Sequence, residues 1–391
     1  MANKRIIYQC EQPLIAPGLN FTAFASGDVV HGVQSIGMNG TVPITTIKEL
    51  GQADPYEQME EVSDFNVSME KCIDGYPLIY HKATYDATYP TLLGRSDARC
   101  HIGLAIFPMT QQRSSGTADF ACFMSGYYPN NLGFEIPIQG PIRETISFIG
   151  NNRKWYSATY RNAEAVSINI LSGYFTGSAG FSVPDAPLAA SGIMKREDVL
   201  FDYTSSYATD NNGLPVYASG STFPRNIPGM DASGRNLSIS TTSCDYSVKL
   251  QSIRFSIPLN RTDIYELGCK FPYDRSLNPD ITVTTEIEIM CTSGDFIEGL
   301  ENGLYANGDN TRDESIRVAL RDGTRFSAGT KNRMNGFTTG GGGSDGTNMT
   351  ATYTYQTTNV FDVLHPADPK FGSLQSGYSL TSGVASGHYF N

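Results

Sequence analysis

The residues whose types and spacing could support catalysis are few. The segment 342–346 fits the G-x-S-x-G pattern, in which a serine nucleophile sits on a turn between a strand and a helix. Here it lies in a glycine-rich stretch between two predicted strands, which favours a flexible loop. Glu60, Glu61 and the acidic cluster 309–314 could supply the two carboxylates of a glycoside hydrolase, but solvated loop charges produce the same pattern.

Motifs for metals and cofactors are also lacking in the sequence. The five histidines show neither H-x-x-x-H nor H-E-x-x-H spacing, and there is no phosphate-binding G-x-x-x-x-G-K-[ST] loop. The cysteines are scattered and form no C-x-x-C pair, so we expect buried hydrophobic side chains rather than disulfides or metal ligands: Cys10, Cys72, Cys100, Cys122, Cys244, Cys269 and Cys291. The sequence therefore predicts no enzyme, no metal site and no cofactor.

Composition narrows the function classes further. The formal net charge of −11 argues against a surface built to hold nucleic-acid phosphates. Only 17% of residues are charged, and 22 tyrosines suit a surface that makes extensive protein contacts. Residues 1–8 lack the apolar core of a signal peptide, and no stretch approaches the roughly 20 apolar residues that span a bilayer. We therefore expect synthesis in the cytosol and no membrane segment.

One pattern occurs twice in the chain. Residues 34–56 and 251–273 align without a gap at an offset of 217 and share ten identities across 23 positions. These are Gln34, Ser35, Ile36, Thr45, Ile47, Glu49, Leu50, Gly51, Pro55 and Tyr56, with their counterparts in the second segment. The match resumes at an offset of 216, where Asp64, Val67 and Glu70 pair with Asp280, Val283 and Glu286. The repeat indicates that one domain has been duplicated and fused.

Alternating hydrophobicity predicts short strands in both copies. In the first copy these runs cover 30–42, 64–71, 100–107 and 142–149, and in the second 253–259, 281–289, 315–320 and 350–355. Residues 45–50 are predicted to form a turn or two of helix, ended by Gly51 in the left-handed conformation. The fold class is therefore all-β with short helices.

The domain organisation follows from the repeat and from the composition between its copies. Residues 161–240 are rich in glycine, serine, proline and asparagine, which is typical of an inserted subdomain or of functional loops. Pro13 and Pro17 disfavour regular structure near the start, and the end of the chain is rich in glycine and serine. The predicted segments are an arm (1–30), a first β-domain (31–160), an insertion (161–240), a second β-domain (241–365) and a tail (366–391).

Several short motifs follow one another in a recognisable order in the first copy. They are Gln34-Ser35-Ile36, Glu49-Leu50-Gly51, Pro55-Tyr56, the strand ending at Glu70, the run from Asp74 to Tyr80, and the run from Ser147 to Asn152 with Trp155. Together they resemble the major tail (tail tube) proteins of tailed bacteriophages, over about two thirds of the chain. Segments 195–200 and 226–229 resemble linkers of long members of that family. The second copy lacks an Asp-Gly-Tyr-Pro counterpart, and its closing segment 350–361 follows 142–155 only loosely.

The resemblance implies two tandem β-sandwich or barrel domains of the tail-tube type. Sheets of such domains join edge to edge into a closed ring, which leaves no exposed sheet edge, and the rings stack into a hollow tube. Most family members carry one domain and form hexameric rings. Two fused domains in each chain imply a homotrimeric, pseudo-hexameric ring.

The resemblance also implies roles for particular residues. Polar positions of the repeated strands are expected to line a negatively charged lumen: Asn66, Ser68, Glu70, Ser252, Arg254, Ser256, Thr282, Thr284, Glu286 and Glu288. The same positions would form the outer solvated face of an ordinary sandwich. The repeated corners are expected at domain or ring contacts, although a tight corner alone would explain them: Glu49, Leu50, Gly51, Pro55, Tyr56, Glu266, Leu267, Gly268, Pro272 and Tyr273.

The expected function is that of a virion structural protein in the phage tail. Its partners would be further copies of itself and other tail proteins, namely the tape measure, the terminator, and a baseplate or a sheath if the tail contracts. Phage DNA would pass through without specific binding, and assembly would take place in the host cytoplasm. Two alternatives are a host-binding adhesin or decoration protein, which needs a binding groove, and a tail-associated glycan hydrolase, which needs two carboxylates across a cleft.

Overall fold

The computed structural model describes residues 11–18, 21, 24, 26–89, 91–107, 118, 120–157, 192–200, 208–209, 215–216, 223–224, 227, 249–290, 313–340 and 349–370. The fold is all-β, as the sequence predicts: the strands pair in antiparallel sheets, and the described helices are short.

The first copy of the repeat contains nine strands and two α-helices. They are β1 (Glu11–Pro17), β2 (Val33–Thr41), β3 (Ile44–Lys48), β4 (Pro55–Glu60), β5 (Asp64–Cys72), α1 (Ile79–Ala83), α2 (Leu92–Ser96), β6 (Cys100–Ile106), β7 (Phe120–Pro137), β8 (Arg143–Gly150) and β9 (Lys154–Ser157). Val67 and Met69 in β5 are buried while Ser68 between them is exposed, so the period-two pattern follows the pleat.

The remaining strands belong to the second copy or to a small separate ribbon. They are β10 (Val199–Leu200), β11 (Ala208–Thr209), β12 (Pro215–Val216), β13 (Lys249–Pro258), β14 (Arg261–Ile264), β15 (Asp274–Leu277), β16 (Thr282–Met290), β17 (Arg317–Leu320), β18 (Arg325–Ser327), β19 (Arg333–Gly340), β20 (Thr350–Thr358) and β21 (Asp362–Leu364). Among the described strands, β11 and β12 pair only with each other.

Eight strands form one continuous layer, which we call the long sheet. Its order is β2-β5-β8-β7-β13-β16-β20-β19. The first four strands come from the first copy and the last four from the second, and the first two strands of each half, β2 with β13 and β5 with β16, correspond in sequence. Both halves even contain a β-bulge at the same place, since the register shifts at Gln34 in β2 and at Gln251 in β13. The duplication is therefore structural as well as sequential.

A second layer packs over the long sheet in each half. In the first copy it contains β1, β6, the start of β7 and β9. Strand β7 is long enough to belong to both layers, and Gly126, with φ +67°, lies where it changes partners. In the second copy the layer has the order β10-β17-β18-β21. Each half is thus a small β-sandwich whose core lies between the layers.

The two halves share one hydrophobic core. Phe134 of the first copy meets Phe326 and Phe361 of the second, with ring centroids 4.9 and 5.9 Å apart. Phe255 packs against the same two rings at 5.8 and 5.5 Å. These aromatic side chains are buried, so the place where the copies meet is packed like a domain interior.

Buried polar groups hold the helices and the end of the described chain in place. The Glu144 carboxylate accepts hydrogen bonds of 2.8 Å from the backbone N–H groups of Ile79 and Tyr80 at the start of α1. Burial raises the pKa of Glu144 to about 7, against the lowering effect of these two hydrogen bonds. Asp368 pairs with the buried Arg95 of α2, which ties the second copy to the helices of the first.

Three sequence predictions require correction. The predicted helical turn at 45–50 is strand β3, because Ile44, Thr45, Thr46 and Ile47 are β-branched and pair with β4; Gly51 does have a positive φ of +90°. Residues 11–17 of the predicted arm form β1, whose ladder partner among the described strands is β6. On the other side of β1 the Pro13 carbonyl accepts a hydrogen bond from the Val30 N–H, so the N–H that Pro13 lacks interrupts no ladder. Cys269 is exposed, whereas Cys72, Cys100 and Cys122 are buried as expected.

Other predictions fall on residues outside the described set. These are most of the 161–240 insertion, the loop 341–348 with its G-x-S-x-G pattern, residues 309–312 of the acidic cluster, Cys10, Cys244 and Cys291, and the tail after residue 370.

Candidate assembly site

The ten residues predicted to line a lumen lie together on one side of the long sheet, which we call the polar face. The ladder places Glu286 opposite Arg254, and Glu288 opposite Ser252. Their neighbours along each strand, such as Phe255 and Ile287, point into the core. Because the ladders are continuous across both copies, the register places the first-copy candidates Asn66, Ser68 and Glu70 on the same side. Their role in a lumen stays a prediction.

The polar face carries charges of both signs. Its described strands contribute Glu70, Glu135, Glu286, Glu288, Arg143, Arg254 and Arg333. Arg254 pairs with Glu135 through N–O distances of 3.0 and 2.6 Å, and Arg143 pairs with Glu70. Glu288 accepts a hydrogen bond of 2.9 Å from Ser252. Since two arginines are matched by glutamates from other strands, the acidic character of this face is concentrated in β16.

The two halves of the long sheet meet where β7 pairs with β13, which we call the internal junction. In its register Arg254 lies opposite Glu135, Phe255 opposite Phe134, and Ser256 opposite Gly133. Within this register the core-facing side chains of both strands are at most 5% exposed. The junction therefore combines a backbone ladder, an ion pair on the polar face and a dry aromatic contact on the core side.

The outermost strands of the long sheet, β2 and β19, are its free edges. Among the described residues β2 pairs only with β5, and β19 only with β20. Their core-facing side chains, including Ile36, Met38, Met334 and Phe337, are only partly buried. An unpaired edge of this length and hydrophobicity is a template for pairing with another strand.

The repeated corners form two hairpins with identical pairing. In the first hairpin (β3 and β4) Ile47 lies opposite Glu57, and in the second (β14 and β15) Ile264 lies opposite Asp274, which are equivalent positions. Leu50 and Leu267 at the tips are fully exposed, and the apolar residues Tyr56, Phe271 and Tyr273 beside them are more than half exposed. Side chains of this kind are expected to bind a partner surface.

The hairpins differ in what covers their bases. Arg275 of the second hairpin is buried and lies 2.5 Å from an Asp64 oxygen of the first copy. Arg261 donates a 3.0 Å hydrogen bond to the Pro129 carbonyl and stacks over Tyr128. Every residue of the first hairpin is exposed. The second hairpin is thus docked on the neighbouring copy, and the first has no such neighbour within the described chain.

The sequence analysis did not predict two strands, namely the end of β7, which forms the internal junction with β13, and β19, which forms one free edge. Strand β19 corresponds to the end of β7, and the dipeptides Gly133-Phe134 and Gly336-Phe337 could have indicated this. The docking of the second hairpin left no local signal, because Arg275 and Asp64 are separated by 211 residues.

No family model and no curated protein matches the sequence. Among solved structures, the chain is similar to a chain of the anti-feeding prophage cap (the tube-terminating cap), with 11% identity, a TM-score of 0.30, and coverage of 40% of this chain and 95% of the other. The chain is also similar to a chain of the sheath-tube complex of an extracellular contractile injection system in the extended state, with 9% identity, a TM-score of 0.29, and coverage of 40% of this chain and 95% of the other. For the Hcp protein the identity is 10% and the TM-score 0.22, and the match covers 38% of this chain and 98% of the Hcp chain.

Two kinds of feature are absent from the described residues. No helix in this part of the chain is long and apolar enough to cross a membrane. No three His, Cys, Asp or Glu side chains of the same residues are grouped as metal ligands would be.

Proposed function

We propose that this protein is the structural subunit of a hollow tube, of the kind formed by phage tail tube proteins. The observation that carries the proposal is the repeated strand order of the long sheet. The same four-strand unit occurs twice, and the end of one unit already pairs with the start of the next. The two free edges are another such end and another such start, so the unit can be added repeatedly.

Repetition of this kind closes into a ring when the rotation between units allows it. Three chains would supply six units and a barrel wall of 24 strands, with true threefold and pseudo-sixfold symmetry. At about 4.8 Å between strands, such a wall is roughly 40 Å across, which is wider than duplex DNA. Closure would also satisfy both free edges, which otherwise invite aggregation.

The polar face would line the lumen and let DNA pass without binding it. The core side of the long sheet is already covered by the second layer, which leaves the polar face to form the inner wall. Its acidic strand β16 and its arginine–glutamate pairs offer phosphates little net attraction. The role is structural, with no catalysis and no cofactor.

The hairpins would make the contacts between stacked rings. In the antiparallel long sheet β2 and β13 run in the same direction, so both hairpins leave the sheet at the same end. Their exposed tips therefore form a repeated apolar rim around a ring. Other tail proteins, namely the tape measure, the terminator, and a baseplate or sheath, would bind the ends or outside of the tube. The tube would belong to the virion and assemble in the host cytoplasm.

The proposal is tested by the mass of the assembled species. We expect native mass spectrometry of the purified protein to show three times the 42.6 kDa chain mass and multiples of that value. Negative-stain images of the same sample should show open rings or tubes. A protein that stays monomeric at every concentration and salt, or that forms closed particles without a channel, would contradict the proposal.

A further inference from the structure

The internal junction specifies how two chains should meet, residue by residue. Strand β13 corresponds to β2 at the constant offset of 217, and the end of β7 corresponds to β19 through the two Gly-Phe dipeptides. The pairs of the internal junction from Ser256–Gly133 to Ser252–Pro137 therefore have equivalent pairs across the free edges, and the bulge of β19 at Asn335 ends this correspondence before Gly336. The partner of each edge would be a second copy of this chain.

We propose that β2 of one chain pairs antiparallel with β19 of the next in the register of the internal junction. The internal pair Phe255–Phe134 has as its counterpart Met38 opposite Phe337. The internal pair Ser256–Gly133 has as its counterpart Asn39 opposite Gly336. Arg254 opposite Glu135 becomes Gly37 opposite Thr338 in the same way. We call this contact the seam; it rests on the proposed function and gives it atomic detail.

Burial on the core side supports the seam. At the internal junction Phe255 and Phe134 are each 2% exposed, and Ile253 and Leu132 are fully buried. The equivalent edge residues Met38, Phe337 and Ile36 are apolar but only partly buried in a single chain, and so is Met334, the next core-facing residue of β19 beyond the bulge at Asn335. Pairing the edges in this register would place Met38 against Phe337 and complete a core that each chain leaves unfinished.

Small residues on the polar side of the seam support it as well. Gly37 and Thr338 replace the ion pair of the internal junction, and Asn39 faces Gly336. None of these four residues is charged, so no like charges oppose each other on this side. A register slipped by one residue would instead turn Met38 or Phe337 to the polar face.

The first hairpin gives a third, independent indication. The second hairpin is docked on the first copy through Arg275 and Asp64 beside the internal junction. The first hairpin leaves β2 in the equivalent direction, but nothing in the described chain covers it. In the seam it would dock on the second copy of the neighbouring chain, and its base carries the apolar Ile44 and Met59 where the second hairpin has Arg261 and Ser276.

A cysteine pair tests the register directly. Asn39→Cys with Gly336→Cys should form a disulfide, because directly opposed Cβ atoms lie about 5 Å apart, close to disulfide geometry. A Cβ atom added at Gly336 makes only ordinary contact, 3.6 Å from Thr354. The bond must join two chains, since seven strand spacings of about 4.8 Å separate β2 from β19 within one chain. Cys269→Ser in the same background removes the one cysteine that is exposed among the described residues.

The matched control moves one partner by two residues. Asn39→Cys with Thr338→Cys keeps both thiols on the polar face but about 7 Å apart. After mild copper-phenanthroline oxidation of assembled protein, we expect the Gly336 pair to link at least about ten-fold faster than the control. Covalent dimers and trimers should appear, with the linked peptides identified by mass spectrometry.

The outcomes separate the seam from the function. If rings form under reducing conditions but the control pair links as fast, or neither pair links, the register is wrong while the tube proposal stands. If no rings form and the wild-type chain is also monomeric, both proposals fail. Hydrogen exchange of wild-type protein provides a check without variants. The amides of β2 and β19 that point away from β5 and β20 should be protected in rings and not in monomers, and exchange of these amides in rings as fast as in monomers would overturn the seam.

Discussion

At the contact between the two copies, burial keeps the side chain of His81 in its neutral form. His81 in α1 is buried, and its Nε2 lies 3.0 Å from the carbonyl oxygen of Val363. Burial and the nearby Arg95 guanidinium lower the pKa of His81 to about 3, even though Asp368 lies 3.7 Å from its Nδ1. The imidazole is therefore neutral at pH 7, and it holds the second copy by a hydrogen bond rather than an ion pair.

This neutral histidine predicts a dependence of stability on pH. Its ordinary pKa is about 6.5, so the unfolded chain takes up a proton below that value while the folded chain does not until about pH 3. The stabilisation by His81 is thus complete above pH 6.5 and declines as the pH falls. His81→Asn should cost about 1–3 kcal/mol at pH 7.5, and its deficit relative to wild type should shrink by about 2 kcal/mol at pH 5. Urea unfolding of the unassembled chain at both pH values measures this; an unchanged deficit would show that His81 is protonated in the fold.

At the scale of elements, the two hairpins share one sequence pattern and differ in environment. Identical register, glycines with positive φ at Gly51 and Gly268, and fully exposed tip leucines are features of the element itself. Docking of the second hairpin depends on the copy next to it. The ion pair Arg275–Asp64 exists because the first copy lies next to the second hairpin. The tip residues Leu50 and Leu267 are exposed in both hairpins, whether or not the hairpin is docked.

The exposed leucines predict a separation between ring formation and stacking. Leu50→Ser with Leu267→Ser should leave the strands and edges intact, because both side chains are fully exposed in the single chain. Rings should still form, but tubes should shorten to single rings or short stacks, since the apolar rim is lost. Electron micrographs measure the length distribution.

The control for this experiment removes an exposed apolar side chain elsewhere. Tyr89→Ser affects a side chain that is 66% exposed and belongs to neither hairpin, in the segment between α1 and α2. This variant should form tubes of ordinary length. Full-length tubes from the double leucine variant would show that the hairpins make no axial contact.

The elements also show how much the sequence could predict. Period-two patterning located the central strands β5, β13 and β16, because one face of each is buried and the other is polar. It failed at β3, a fully exposed strand without alternation, and at β1, where Pro13 suggested irregular structure. The candidate polar residues lie on one face of the sheet because of their parity along each strand, and their role in a lumen stays a prediction. The internal junction arises from pairing across more than one hundred residues, which local patterns do not contain.

At the scale of the whole molecule, the duplication fixes how two neighbouring units of the proposed ring are arranged. One chain already contains one copy of the contact that a ring would repeat, with its ladder, aromatic core and docked hairpin. Fusing two units halves the number of separate contacts to be formed and fixes their spacing. The polar face then runs uninterrupted from β2 to β19.

If the polar face lines a tube, a basic version of that face should bind linear DNA, which can enter the tube, and not closed circular DNA, which cannot. Glu286→Lys with Glu288→Lys should turn β16 basic, and assembled tubes should then bind short linear duplexes with a strong salt dependence. Covalently closed plasmid cannot thread a lumen, so its binding should stay near the wild-type level. Filter binding or co-sedimentation at two salt concentrations measures both.

The matched control places the same charges outside the polar face and outside both hairpins. Asp86→Lys with Glu197→Lys changes two exposed residues, one between α1 and α2 and one shortly before β10. Tubes of this variant should bind linear and circular DNA alike. If the Glu286 and Glu288 variant also binds plasmid as well as linear duplex, the polar face lies on the outside, as in an ordinary solvated sandwich.

The most direct test of the central claim is the symmetry of rings viewed down their axis by electron microscopy. The repeated four-strand unit predicts three chains in each ring, six similar lobes around an open channel, and threefold averages in which alternate lobes differ. Rings with six chains and twelve lobes, or compact particles that never form a channel, would contradict it.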